Sequence, residues 1–178
     1  MNFELMDIFR MEFDFCWNKE AWFLPLESAL KDLDSTHASW QPPGGGNTIW
    51  QIVNHLNYYN AVLIKQLNDP ILRKKESSGK AAFGDIGEPA GLEWESVLAE
   101  DTFGGSGEAE NTEKWDAVLE ETRQICGELR KTLARGSDSQ LDEERIGRLA
   151  RQMLHNAYHI GQIVLIRKQQ GSWPEERG

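Results

Sequence analysis

Cysteine is scarce in this chain: two residues, Cys16 and Cys126, in 178. That excludes a disulfide framework and a Cys-based metal motif, and it fits a reducing cytoplasm. Long apolar runs are missing too. No stretch approaches the roughly 20 residues of a membrane span, and the acidic, aromatic opening lacks the basic and apolar regions of a signal peptide. Positive charge is in deficit, with 19 Lys and Arg against 29 Asp and Glu, a net charge of −10 and a pI near 4.9. A basic footprint for nucleic acid is therefore absent, and nonspecific DNA or RNA binding is disfavoured. The expected partner is a small molecule, not a nucleic acid or a membrane. Histidine is also rare, at four residues, so its placement carries information.

What is present is ordinary globular composition, 39% hydrophobic and 27% charged, in a length that suits one domain over 1–178. Seven Trp suggest aromatic-rich packing or a ligand groove. Period-2 alternation is nowhere sustained, so the expected fold class is all-α. Four helices are predicted, over about 4–33, 47–69, 112–135 and 140–170. In the first, Phe9, Phe13, Cys16, Trp17, Phe23, Leu26 and Leu30 recur at helical spacing, and Pro25 is expected to bend it. The second opens on a capping-box pattern, Thr48-Ile49-Trp50-Gln51, and its stripe runs Ile49, Ile52, Val53, Leu56, Asn60, Leu63 and Leu67. The third starts at Asn111-Thr112 and stops at Arg135-Gly136; the fourth ends before Gly171 and Pro174. Residues 70–111 are rich in Gly, Ser, Glu and Lys, with a possible short helix over 93–100, and read as one long crossover in a four-helix bundle.

His55 lies mid-helix in the second element, and His155 and His159 are one turn apart in the fourth. Positions i and i+4 share a helix face, about 6 Å apart at Cβ. Two such imidazoles can grip one ion, and a third from a neighbouring helix leaves a coordination position open. On a helical wheel the core seam of the fourth helix is Ile146, Leu149, Ala150, Met153, Ala157, Ile160 and Val164. His155 and His159 then project from the opposite side, near Arg148, Gln152, Gln162 and Ile166. Leu154, Tyr158 and Leu165 make that side partly apolar, as a groove wall would be. Residue 156 is Asn, so the H-E-x-x-H pattern with its built-in base is absent. His37 reads as an ordinary surface residue.

The segment Asn47-Thr48-Ile49-Trp50-Gln51-Ile52-Val53-Asn54-His55-Leu56 resembles the second helix of DinB/YfiT-like proteins. His155-Asn156-Ala157-Tyr158-His159-Ile160-Gly161-Gln162-Ile163, with Arg167 and Gly171-Ser172-Trp173-Pro174 beyond it, resembles their fourth helix and tail. The Trp40-Gln41-Pro42-Pro43 lead and the crossover also match that arrangement. The resemblance implies a four-helix bundle binding a divalent metal (Zn, Ni, Fe or Mn) through His55, His155 and His159. It further implies a metal-dependent enzyme, and two activities occur among such relatives: S-transfer using a low-molecular-weight thiol as cofactor, and hydrolysis.

The sequence does not separate these. A hydrolase needs a base beside its water, yet no Asp or Glu lies within one turn of a candidate ligand. Tyr59, Tyr158 and Gln162 could hydrogen-bond there, and Gln152 similarly, but they are poor bases. Asp14, Glu20 or Glu27 of the first helix, or the crossover, could supply a carboxylate. Arg148 and Arg151 are weak candidates for holding a substrate or cofactor carboxylate, against pairing with Asp142, Glu143 and Glu144. A non-enzymatic metal- or ligand-binding module is the other class, with Trp17, Trp22, Trp50 and Trp115 as core. The plainest reading is a bundle whose histidines bind nothing. Apolar residues outside one stripe on the second and fourth helices suggest a homodimer contact.

Overall fold

The computed structural model describes residues 4–68 and 101–177, and the regular elements among them are helical. Four helices are long: α1 (Leu5–Trp17), α4 (Ile49–Asn68), α5 (Thr112–Arg135) and α6 (Glu143–Gln169). Single turns α2 (Leu26–Ala29) and α3 (Ser35–Ala38) occupy the α1–α4 connection, and 3-10 turns lie at Asp138–Gln140 and Glu175–Arg177. The predicted helix over 93–100 and most of the crossover lie outside the described residues.

α1 packs against α5 and α6, and α4 packs against the same two helices. Phe13, Ile49, Ile52, Leu56, Trp115, Leu129, Leu149 and Ile160 meet between them as fully buried side chains. Burying each such side chain is worth roughly 1.5–3 kcal/mol. The joints are polar. Asp138 turns its carboxylate onto the backbone N–H groups of Leu5 and Met6, each at 2.8 Å, at the start of α1. That satisfies orphan donors and places negative charge at a helix N-terminus.

Three sequence expectations need correction. The first helix does not run over 4–33. α1 ends at Trp17, with Asn18 and Lys19 both turned back onto the carbonyl of Asp14. Pro25 does not kink a continuing helix; it caps α2 from an extended conformation, as its missing N–H allows. Phe23 and Trp22 consequently sit in a loop, and Trp22 is fully exposed, not core. The last helix starts at Glu143 rather than 140, capped by Asp142, whose side chain accepts from Arg145 N.

The buried face of α6 is also turned from the wheel reading. Leu149, Met153 and Ile160 are buried as expected, but Ala150 is exposed. Asn156, His159, Ile163, Ile166 and Arg167 are buried instead. The histidine side is thus part of the packed face. α6 lies between α1 and α4, so the buried arc is wider than one seam.

Candidate metal centre

α4 and α6 bring His55, His155 and His159 together, with ligating atoms all within 4.8 Å of one another. His55 Nε2 and His155 Nε2 are 3.0 Å apart. The rings of His155 and His159 meet edge to face at 4.5 Å, and those of His55 and His159 at 4.8 Å.

Burial keeps these imidazoles neutral, joined at His55 and His155 by repulsion from their neighbours. His55 is pushed down to about 4, chiefly by burial and then by His159. His155 is pushed down to about 4 by burial, then by His159 and His55. Burial also lowers His159, against an opposing hydrogen bond from Gln162. A neutral imidazole offers one N–H and one lone pair. His159 Nδ1 lies 2.6 Å from Gln162 Oε1; a carbonyl accepts, so Nδ1 carries the proton and Nε2 the lone pair. His55 Nδ1 lies 2.7 Å from Thr102 Oγ1, a hydroxyl able to accept from Nδ1–H and so to leave the Nε2 lone pair free. His155 Nδ1 is buried with no hydrogen-bond partner among the described residues.

This donor set fits a divalent cation. The two Nε2 atoms stand at hydrogen-bonding distance, 3.0 Å, so without an ion one donates its N–H to the other's lone pair, and a divalent ion would take that proton's place. Bonds of ~2.0–2.1 Å to one tetrahedral ion place ligand nitrogens ~3.3 Å apart, against 3.0 Å for the His55–His155 pair and at most 4.8 Å within the group. His55, His155 and His159 would be the ligands.

A second layer comes from residues 101–107, which lace along α4. Asp101 Oδ1 accepts from Phe103 N at 3.2 Å and Gly104 N at 3.1 Å, shaping the turn. Asn54 Nδ2 donates to Phe103 O at 3.4 Å, Gln51 Nε2 to Gly104 O at 3.0 Å and Thr48 Oγ1 to Ser106 O at 2.9 Å. Gly107, at φ +85°, lies so close beneath Trp50 that a Cβ would come within 2.5 Å of the indole. Thus held, the turn delivers Thr102 to the His55 Nδ1 and stacks Phe103 flat on the same ring, 3.9 Å between centroids and 5° between planes. Neither residue was anticipated from sequence. Asp101 before Gly104 signals a turn, but nothing local says which helix it meets.

The polar candidates mostly converge. Tyr59 packs edge-on to His55 at 4.8 Å and His155 at 5.0 Å. Gln162 binds His159 through Oε1 and donates from Nε2 to Tyr158 Oη at 3.1 Å. Gln152 turns instead to a buried amide group, donating to Asn60 Oδ1 and Asn156 Oδ1 at 2.9 Å each; Asn156 Nδ2 also donates to Asn60 at 3.2 Å. These three amides fix α4 against α6 beside the histidines.

Other candidates fall elsewhere. Arg148 pairs with Glu144, and Arg151 is exposed. Asp14 pairs with Arg130 at 2.7 Å and Glu20 with Arg177 at 3.3 Å. Glu27 lines a cleft beside Trp17 and Arg123. Among the described residues the histidine group contains no carboxylate. His37 is engaged with Asp34 at 2.8 Å in α3.

The DinB superfamily model matches residues 25–165, which spans all three histidines and most of the chain. The chain belongs to the DinB superfamily. No curated protein and no solved structure matches it. Among the described residues no helix is long and apolar enough to cross a membrane.

Proposed function

We propose that this protein is a divalent-metal-dependent enzyme that activates a low-molecular-weight thiol for S-transfer to an electrophilic small molecule. The four long helices form the bundle, with residues between α4 and α5 as its crossover. The observation that carries the reading is the cluster of three neutral imidazoles with neighbouring nitrogens, His55 and His159 buried and His155 half-buried. A divalent ion held there supplies Lewis acidity, lowering the pKa of a thiol at its open position.

The chain's own residues then have definite tasks. Gln162 holds His159 in the tautomer that presents Nε2, and Thr102, when it accepts from Nδ1–H, does the same for His55. Phe103 and Tyr59 wall the rings and exclude water. Tyr158, 64% exposed with its oxygen accepting from Gln162, keeps its own proton for a substrate acceptor. In the reaction the thiol proton leaves to solvent, the sulfur forms the new C–S bond, and the leaving group departs with the electron pair of the broken bond.

Hydrolysis is the second reading. The histidine group has no carboxylate among the described residues, and a general base is what water activation requires. This favours the nucleophile that carries its own charge. The test is metal content by ICP mass spectrometry, wild type beside His159→Ala, followed by assay of the loaded protein. About one ion per chain, lost in the variant, with consumption of an electrophile dependent on bacillithiol, mycothiol, glutathione or cysteine, supports the proposal. Turnover without thiol would favour hydrolysis. Stoichiometric metal with neither activity would leave a binding module.

A further inference from the structure

On the side of α4 turned toward α5 lies a cleft of about 370 Å³, walled by α4, α5 and residues 101–104. That is within the usual range of small-molecule sites, roughly 300–1,000 Å³. Asn57 lines it and is 4% exposed, yet neither its Nδ2 nor its Oδ1 has a hydrogen-bond partner among the described residues. Buried side-chain amides nearly always have partners. An amide lacking both a donor and an acceptor is complementary to another amide, which offers the two side by side.

The rest of the lining narrows the class. Lys65, exposed on α4, brings a cation that makes no ion pair among the described residues. Glu121 of α5 and Asp101 bring carboxylates. A simple anion entering would meet these two acids, and a simple amine would meet Lys65. A zwitterion satisfies both signs. Ala61, Val62 and Ile125 supply a small apolar wall between them.

We propose that this cleft binds a small zwitterion containing an amide, of the size and chemistry of a dipeptide. The ligand's peptide group pairs with Asn57, its carboxylate faces Lys65, its ammonium faces Glu121 and Asp101, and its small side chains rest on Ala61, Val62 and Ile125. The site is separate from the histidines. Asn57 follows His55 by two positions, about 200° around the helix, and Thr102 is the wall the two sites share.

The experiment is an NMR titration of the full ¹⁵N-labelled chain with L-alanyl-L-alanine, with N-acetyl-L-alanine as the probe lacking the ammonium. Saturable shifts at the amides of Ala61, Val62 and Ile125, with binding several-fold weaker for the acetylated probe, are expected. Asn57→Leu should weaken binding about tenfold or more, with no fall in Tm, because it removes an unsatisfied buried amide. Lys65→Glu, at an exposed position, should weaken binding several-fold and serves if Asn57→Leu does not fold. No saturable shift at tens of millimolar, unchanged affinity in either folded variant, or equal binding of the acetylated probe would overturn the proposal. Shifts confined to the histidine cluster would overturn it as well.

Discussion

At His55 and His159 one ring nitrogen is already engaged, by Thr102 and Gln162 respectively, and that leaves the other aimed at a common point. Gln162→Leu is therefore expected to weaken metal affinity about 10–100-fold in a chelator-competition titration while the protein stays folded. An unchanged affinity would mean the Nδ1 bond does not orient the ring. The same imidazoles predict a pH dependence. His55 and His155 titrate near 4 when folded but near ~6.5 when unfolded, so the unfolded chain binds more protons between those values. Metal-free protein should hold its full stability above about pH 6.5 and lose it progressively toward pH 4, read as a falling urea midpoint across that window. Tryptophans separate by burial. Trp115 is 1% exposed and donates Nε1–H to Leu33 O at 2.7 Å. Its replacement by Ala should cost about 3–5 kcal/mol, whereas Trp22→Ala, in a fully exposed residue, should stay within about 0.5 kcal/mol.

Elements were legible where local chemistry marked both ends. α5 spans the residues its signals indicate, because Asn111 caps it through Lys114 N and Gly136 follows its last turn. The capping box of α4 is present as the spacing suggests, with Thr48 N to Gln51 Oε1 at 3.0 Å and Gln51 N to Thr48 Oγ1 at 3.2 Å. Thr48 Oγ1 also donates to Ser106 O, so it ties the helix start to the turn that carries Thr102. Thr48→Ala is expected to cost about 1–2 kcal/mol in urea unfolding. It should also loosen the turn, visible as faster hydrogen exchange over residues 102–107. α1 was misread because apolar spacing continues past its true end, while a C-cap and a proline decide the break. On α6 Leu149, Met153 and Ile160 are buried as the wheel expects, but the buried arc is wider than the one seam it draws. A wheel finds one apolar centre, and a helix wedged between two neighbours buries polar residues such as Asn156, His159 and Arg167 as well.

For the whole molecule, the three candidate ligands were readable from sequence because their types and spacing are local to two helices. The turn that clamps His55 was not, because it meets α4 only through the tertiary fold. α6 also carries an outward face in which Leu154 is 71% and Leu165 56% exposed. We propose that a second copy covers this face. Light scattering after gel filtration should then give twice the chain mass for wild type and the single chain mass for Leu154→Glu with Leu165→Glu; a monomeric wild type would refute the pairing.

His55 and His155 come from helices far apart along the chain and meet across α4 and α6. An ion bound to both is a clip across a long loop, and such a site does not exist in the unfolded chain. Occupancy would therefore act as a record of folding: each tenfold excess of free ion over its dissociation constant would add about 1.4 kcal/mol to the folded state. A cell that withholds the ion would withdraw a cross-link as well as a reagent.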